Sequence, residues 1–207
     1  MVKWLFIKIS GNQYLYINDL NRMQNQLINI LPANRFDELL SIGHQIFIPA
    51  SGCFIKAGET PARIAYVQKG LFRYVYLNEK GDEFTKAIMA ENNFISSYSA
   101  MVTGKPSFFS VEALEDSQIL EIAWSDFIRL TELDVFWVRF LLKFIEKGYI
   151  TKEKRERDLL LLDAETRYKN FLTEFPGLDQ RVRQGVIASY LGIQPETQSR
   201  IRRKIVF

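Results

Sequence analysis

Bulky apolar residues recur at intervals of three and four between residues 134 and 162: Trp137, Phe140, Leu141, Phe144, Ile145 and Tyr149. That period places them along one side of a helix, in a stripe too broad and bulky for a solvent face. It predicts a long helix starting near Asp134, packed partly on the rest of the chain and partly on a second copy of itself. Upstream the pattern changes. Between residues 44 and 122 the apolar residues come in short runs, at 46–48, 54–56, 65–69, 71–77, 84–90 and 111–122. Ser51-Gly52, Ala57-Gly58-Glu59, Lys69-Gly70 and Lys80-Gly81-Asp82 punctuate them. Closely spaced short strands with glycine corners predict a double-sheet jelly roll. Before it, Leu27, Ile30, Leu31, Phe36, Leu39 and Leu40 keep helical spacing over 24–42, with Pro32 splitting the run into two short helices. After it, Ser125-Asp126 offers caps to a helix carrying Phe127, Leu130 and Leu133. The charge run KEKRER at 152–157 reads as a solvated helix face, and the leucines at 159–162 followed by Asp163 read as a hinge. Residues 166–175 form a further helix, ended by Pro176-Gly177.

The stretch 184–204, QGVIASYLGIQPETQSRIRRK, reads as two short helices around a tight turn. Val186, Ile187, Ala188, Tyr190 and Leu191 are the apolar residues of the first. Gly192 can take the positive φ that ends a helix, and Pro195 suits the first turn of the next. Ala188 is small where two helices would cross closely, and Ile193 would plug the corner. This is a helix-turn-helix pattern, whose second helix enters the DNA major groove. Glu196, Arg200 and Arg203 share a face. An Arg fork matches the O6 and N7 acceptors of guanine, and Glu accepts from cytosine N4. Thr197, Ser199, Arg202 and Lys204 suit phosphate or base contacts. Ile201 and Ile205 form the opposite face. The bland alternative is a surface hairpin with scattered charge.

The net charge of the 207-residue chain, +3, is too small to argue for nucleic acid by itself. Its distribution is more informative. From Arg181 to Phe207 there are six Lys or Arg against one acid, Glu196, so a near-neutral body ends in a basic tip. The only cysteine, Cys53, excludes an internal disulfide and fits a reducing cytoplasm. The only histidine, His44, leaves no multi-histidine metal site and no catalytic triad, which argues against a cupin-like enzyme. No metal, cofactor or catalytic residue is expected. Residues 4–9 form a short apolar run split by Lys8, too short and polar to span a membrane and without a small-residue cleavage site. The alternation around Tyr14 and Tyr16 suggests a strand. Translation from Met23 would make residues 1–22 an extension.

The segment IASYLGIQPETQSRIRRK, the glycines at 58, 70 and 81 and the run VEALEDSQILEI (111–122) resemble the Crp/Fnr family of bacterial transcription regulators. The resemblance runs from about Gln24 to the end. It implies an α+β fold: a jelly-roll, cyclic-nucleotide-binding-like sensor over 23–133, a long dimerisation helix over 134–162 and a helix-turn-helix DNA-binding domain over 163–207. It also implies a homodimer on a palindromic operator in double-stranded DNA, with Glu196 and Arg200 as base readers. RNA polymerase is a further partner to expect; a membrane is not.

Four features set the chain apart from members of the family. The family's iron–sulfur version would need several cysteines. Gln198 takes a buried-face position where the family has an aliphatic residue, and a buried amide without a partner costs about 1–3 kcal/mol. The sequence also stops at Phe207, so wing contacts to phosphate are not expected. In nucleotide-binding relatives a Gly-Glu pair, helix-start amides and an Arg hold the ribose and cyclic phosphate. Here Ser96-Ser97 takes the place of the pair, and Ser107, Phe108 and Phe109 follow Pro106 where the Arg would be. With neither acid nor Arg, cyclic AMP is not expected to bind in the usual way. Ser96, Ser97, Tyr98, Ser99, Phe108 and Phe109 would line a part-apolar, part-hydroxyl pocket, open to an unidentified small-molecule effector or filled by its own aromatics. The alternative function is a protein-interaction or small-ligand module that does not read DNA sequence.

Overall fold

The computed structural model describes residues 6–10, 13–16 and 31–206. Residues 24–30 of the expected N-terminal helix, and most of the expected 1–22 extension, lie outside the described residues. Phe6–Ser10 (β1) pairs antiparallel with Gln13–Tyr16 (β2). Ala33–Ile42 (α1) follows Pro32, whose fixed φ suits a helix start.

Eight strands then form the β-roll: Gly43–Ile48 (β3), Cys53–Ile55 (β4), Arg63–Lys69 (β5), Phe72–Leu77 (β6), Glu83–Met89 (β7), Phe94–Ile95 (β8), Ser110–Ala113 (β9) and Ser117–Ala123 (β10). They make two four-stranded antiparallel sheets, ordered β3-β10-β5-β8 and β4-β9-β6-β7. The apolar run at 111–122 is thus two strands, one in each sheet, broken by a turn. Between the sheets lie Phe54, Ile55, Val67, Phe72, Ile95, Phe109, Val111 and Ile119. The tight corner at Gly70 shows why a glycine stands there: φ is +110°, and a Cβ would sit 2.1 Å from Ser117 Oγ.

A short helix, Tyr98–Thr103 (α2), follows β8. Trp124–Leu133 (α3) starts without a side-chain cap, contrary to the Ser125-Asp126 expectation; Asp126 lies inside the first turn and pairs with Arg129. The cap does form at the next helix, Val135–Leu161 (α4), where Asp134 accepts from the Phe136 amide at 2.8 Å. Asp134 also pairs with Arg35 of α1, and Glu38 of α1 accepts from Trp137 Nε1 at 2.8 Å. α1, α3 and the first half of α4 cover one face of the roll around Leu31, Phe36, Tyr66, Phe94, Phe127 and Trp137.

The expected stripe on α4 therefore divides. Trp137, Phe140, Leu141 and Phe144 pack on the roll, while Val135, Val138, Leu142 and Tyr149 stay exposed on another side. The exposed four fall at intervals of three, four and seven, a heptad seam.

Ala164–Glu174 (α5) begins at Asp163, whose carboxylate accepts from the Thr166 amide at 2.7 Å. Leu178–Arg181 (α6), Gln184–Leu191 (α7) and Pro195–Val206 (α8) complete the described chain. Their core joins Tyr168, Phe171, Leu178, Val182, Ile187, Leu191 and Ile201 to Leu71 and Ile88 of the roll.

Candidate DNA interface and effector region

Gly192 closes α7 at φ +65°, where its amide reaches back to Ser189. A Cβ there would come within 3.0 Å of a Leu159 methyl, so turn and hinge are in contact. Pro195 starts α8, which buries Gln198 and Ile201 against α7 and leaves Glu196, Ser199, Arg200, Arg202, Arg203 and Lys204 exposed, with Thr197 half-buried. Glu196, Thr197, Arg200, Arg203 and Lys204 line one shallow concavity. Lys204 is paired with Glu165 of α5 at 2.7 Å, and Glu165 also takes Lys169. Glu196, Arg200, Arg202 and Arg203 have no ion-pair partner among the described residues. Their charged groups face outward.

Gln198 is fully buried, and its side-chain Nε2–H donates to the side-chain Oε1 of Gln184 at the start of α7. Its own carbonyl oxygen is without a partner. The helix is not rotated; a side chain fourteen residues away supplies half of what the amide needs.

The helix-turn-helix is held against the β-roll. β7 is an edge strand, and its outer backbone groups would otherwise be unpaired. Ser189 of α7 accepts from the Thr85 amide at 2.8 Å and donates to the Glu83 carbonyl at 3.2 Å. Arg155 of α4 donates to the Thr85 carbonyl at 3.0 Å and the Tyr190 carbonyl at 2.7 Å, and its guanidinium lies 4.8 Å over the Tyr190 ring. Burial lowers the Arg155 pKa. Arg181 of α6 bridges Glu91 and Glu115 of the roll at 2.8 and 2.6 Å, and those two acceptors raise its pKa. Ser189, Arg155 and Arg181 carried no signal in the sequence as docking residues.

In the β-roll, two of the hydroxyls expected to line a pocket, those of Ser96 and Ser97, are used internally. Ser96 Oγ donates to the Arg63 carbonyl at 3.0 Å, and its amide donates to Tyr74 Oη at 3.0 Å. Ser107 Oγ donates either to Ser97 Oγ at 2.9 Å or to the Phe109 carbonyl at 2.7 Å. Phe109 is buried and stacked on Tyr74, with centroids 5.0 Å apart. Tyr98 packs edge-on against Trp124. Ser99 and Lys105 are exposed, and Phe108 points outward, 83% exposed. Ser96, Ser97 and Phe109 are thus brought together, and Ser99 and Phe108 stand apart from them.

Lys86 of β7 went unnoticed in the sequence. It is the extra residue of a β-bulge, since Thr85 and Ala87 oppose Val75 and Tyr74 while Lys86 opposes nothing on β6. Its ammonium lies 3.8 Å from the Phe109 ring centre, 5.7 Å from Tyr76 and 5.9 Å from Tyr74. Burial, with the nearby charges of Lys152 and Arg155, lowers its pKa to about 8.

Residues 45–134 match the family model of the cyclic nucleotide-binding domain, and a helix-turn-helix follows them in the fold. The whole arrangement is shared with solved regulators. FixK2 from Bradyrhizobium japonicum superposes with a TM-score of 0.71 at 18% identity, covering 80% of this chain and 85% of that one. CLP from Xanthomonas campestris, described as a c-di-GMP-responsive global regulator, gives 0.69 at 16%, covering 84% and 91%. A transcriptional regulator of the CRP/FNR family from Thermus thermophilus gives 0.64 at 15%, covering 79% and 86%. The chain has the fold of the Crp/Fnr transcription regulators. No curated protein matches it by sequence. No helix among the described residues is long and apolar enough to cross a membrane.

Proposed function

We propose that the protein is a cytoplasmic, dimeric transcription regulator of Crp/Fnr type that reads a palindromic operator through α8. The observation that carries this reading is the outer face of α8: a fork-bearing Arg200 and Arg203 in line with Glu196, exposed and without internal ion-pair partners, on a helix whose inner face is buried. Glu196 and Arg200 read base edges; Thr197, Ser199, Arg202, Arg203 and Lys204 hold the backbone or adjoining bases. The exposed seam of Val135, Val138, Leu142 and Tyr149 supports a two-fold pairing of α4 helices, which sets two recognition helices on successive half-sites. The domain divisions 23–133, 134–162 and 163–207 follow this division of labour. The internally bonded serines and the Tyr74–Phe109 stack support the absence of the usual cyclic AMP mode.

Selection of bound sequences from a random duplex pool tests the reading. Enrichment of a palindrome is the expected result. A pool that stays random with the dimer intact would overturn it.

A further inference from the structure

We propose that a single monatomic anion, a halide such as chloride, is held in the joint where α4, α5 and α7 meet, between Arg155 and Arg167. The site is a structural one, and the argument for it does not depend on DNA binding.

The joint holds a cavity of about 30 Å3. That is room for one or two water-sized guests and not for a nucleotide. Phe171 and Leu191 give it apolar wall, and five charged side chains complete the part that matters here. Lys154, Arg155 and Asp158 come from α4, and Arg167 and Glu174 from α5. The two arginines share one difficulty. Arg155 donates through one terminal nitrogen to the Thr85 and Tyr190 carbonyls, and Arg167 donates through one of its own to the Leu162 carbonyl at 2.7 Å. Each keeps a buried Nε–H without an acceptor. A buried donor left unpaired is costly, and more so on a charged group. Every acceptor they do have is a neutral carbonyl, and neither arginine is in an ion pair among the described residues. The acids of the wall are already engaged: Lys154 bridges Asp158 at 3.1 Å and Glu174 at 2.7 Å. Three cations thus meet two carboxylates, and one positive charge is left over. Burial lowers the Arg155 pKa, with no carboxylate among the groups that oppose the shift.

Water and a halide meet these needs unequally. A water oxygen would accept from the two Nε–H groups and leave the surplus charge where it is. A halide accepts from several N–H donors at once and cancels that charge, and hydrogen bonds to an ionised acceptor are the stronger kind. A guanidinium is also weakly hydrated, so it gives up less water to such an ion than an ammonium would. Because Arg155 lies before the turn at Asp163 and Arg167 after it, one ion would tie the end of the long helix to the helix that follows.

Bromide is the probe, because its anomalous scattering tells it from water. Crystals of the full chain grown in sodium bromide, measured at the bromine absorption edge, should show an anomalous peak in contact with both Nε atoms. A water there without anomalous signal, or bromide only elsewhere on the surface, would overturn the proposal. Thermal melting in solution, with bromide titrated against gluconate at constant ionic strength, supplies the second test. The wild type should gain about 2–4 °C over the titration, levelling off as the site fills, beyond any change seen in Arg167→Met. That variant removes the surplus charge together with one donor and should lose the saturable gain. Glu174→Gln removes a competing negative charge from the wall, so half of the gain should arrive at several-fold less bromide. Glu174 is exposed, so this variant keeps the test valid should Arg167→Met fold poorly. A water-filled cavity predicts the same bromide dependence in all three proteins, and that result would overturn the ion. No readout uses DNA, so failure of the proposed operator reading would appear separately, as a filled ion site in a protein that selects no duplex.

Discussion

Replacing Gln198 by methionine should make the protein more stable without weakening its hold on DNA. Gln198 is fully buried between α7 and α8, its carbonyl oxygen has no partner, and its one bond runs to the Gln184 carbonyl. A buried polar group left unpaired costs about 1–3 kcal/mol, and the bond it does make contributes about 0.5–1.5 kcal/mol. Methionine keeps the unbranched shape, removes the orphan oxygen and fills the space with apolar atoms. Gln184 is half-buried, so its freed carbonyl can turn to water. The net effect is a gain of about 1 kcal/mol, which for a chain of this size raises the melting temperature by about 2–4 °C. Thermal melting of both proteins, followed by far-ultraviolet circular dichroism, measures it. Because Gln198 faces α7 and not the outside, duplex affinity should stay within about twofold. A loss of more than about 1 kcal/mol would refute the reasoning, and would mean that the amide pair is what fixes the crossing of the two helices.

The exposed residues make sharper demands on function. Arg200→Ala should weaken specific duplex binding by about 1–3 kcal/mol and relax the preference at one base pair; unchanged preference there would remove Arg200 as a base reader. Arg202→Ala should weaken all duplexes alike and lower the slope of affinity against salt by about one. Leu142→Asp, on the exposed seam of α4, should give a monomer in sedimentation and abolish palindrome binding, and a surviving dimer would move the interface elsewhere. Lys86→Met should stabilise the protein at pH 7 by about 1–2 kcal/mol, after allowance for the part-exposed position of the ammonium. Below pH 8 the lysine is charged both folded and unfolded, so the burial penalty is complete. Between pH 8 and its ordinary value of 10.5 the folded protein sheds the proton first, and the advantage of the variant should shrink across that window. An advantage independent of pH would refute a buried charge as its source.

The helix-turn-helix was legible because its turn depends on local backbone rules. Gly192 is in the left-handed region and Pro195 opens α8, as their chemistry requires. The β-roll was legible through its corners for the same reason, with Gly58, Gly70 and Gly81 all at positive φ. What escaped depends on pairs distant in sequence. Phe94–Ile95 is a strand only because β5 lies beside it, and nothing within two residues can show an alternation. Gln198 reads as an error until Gln184 is seen across the turn. The stripe on α4 was expected to pack partly on the rest of the chain, and the roll takes Trp137, Phe140, Leu141 and Phe144, but the exposed Val135, Val138 and Leu142 on another side were not part of that stripe. In the candidate pocket, hydroxyl composition could not reveal that Ser96, Ser97 and Ser107 would be used on one another and on backbone carbonyls.

The edge of β7 carries a consequence for the life of the protein in the cell. While α7 lies along it, Ser189 and Arg155 occupy the Thr85 amide and the carbonyls of Glu83 and Thr85, and that stretch of the strand is closed to a stranger. Any movement that swings the recognition helices clear strips that border bare, beside the exposed Tyr76, Leu77 and Phe84. A bare, apolar border invites the same border of another molecule. If the proposed reading of an operator draws α7 off β7, reach toward DNA and resistance to clumping pull against each other. Such an undocked form would be safest if brief, or if something else lay quickly along the strand.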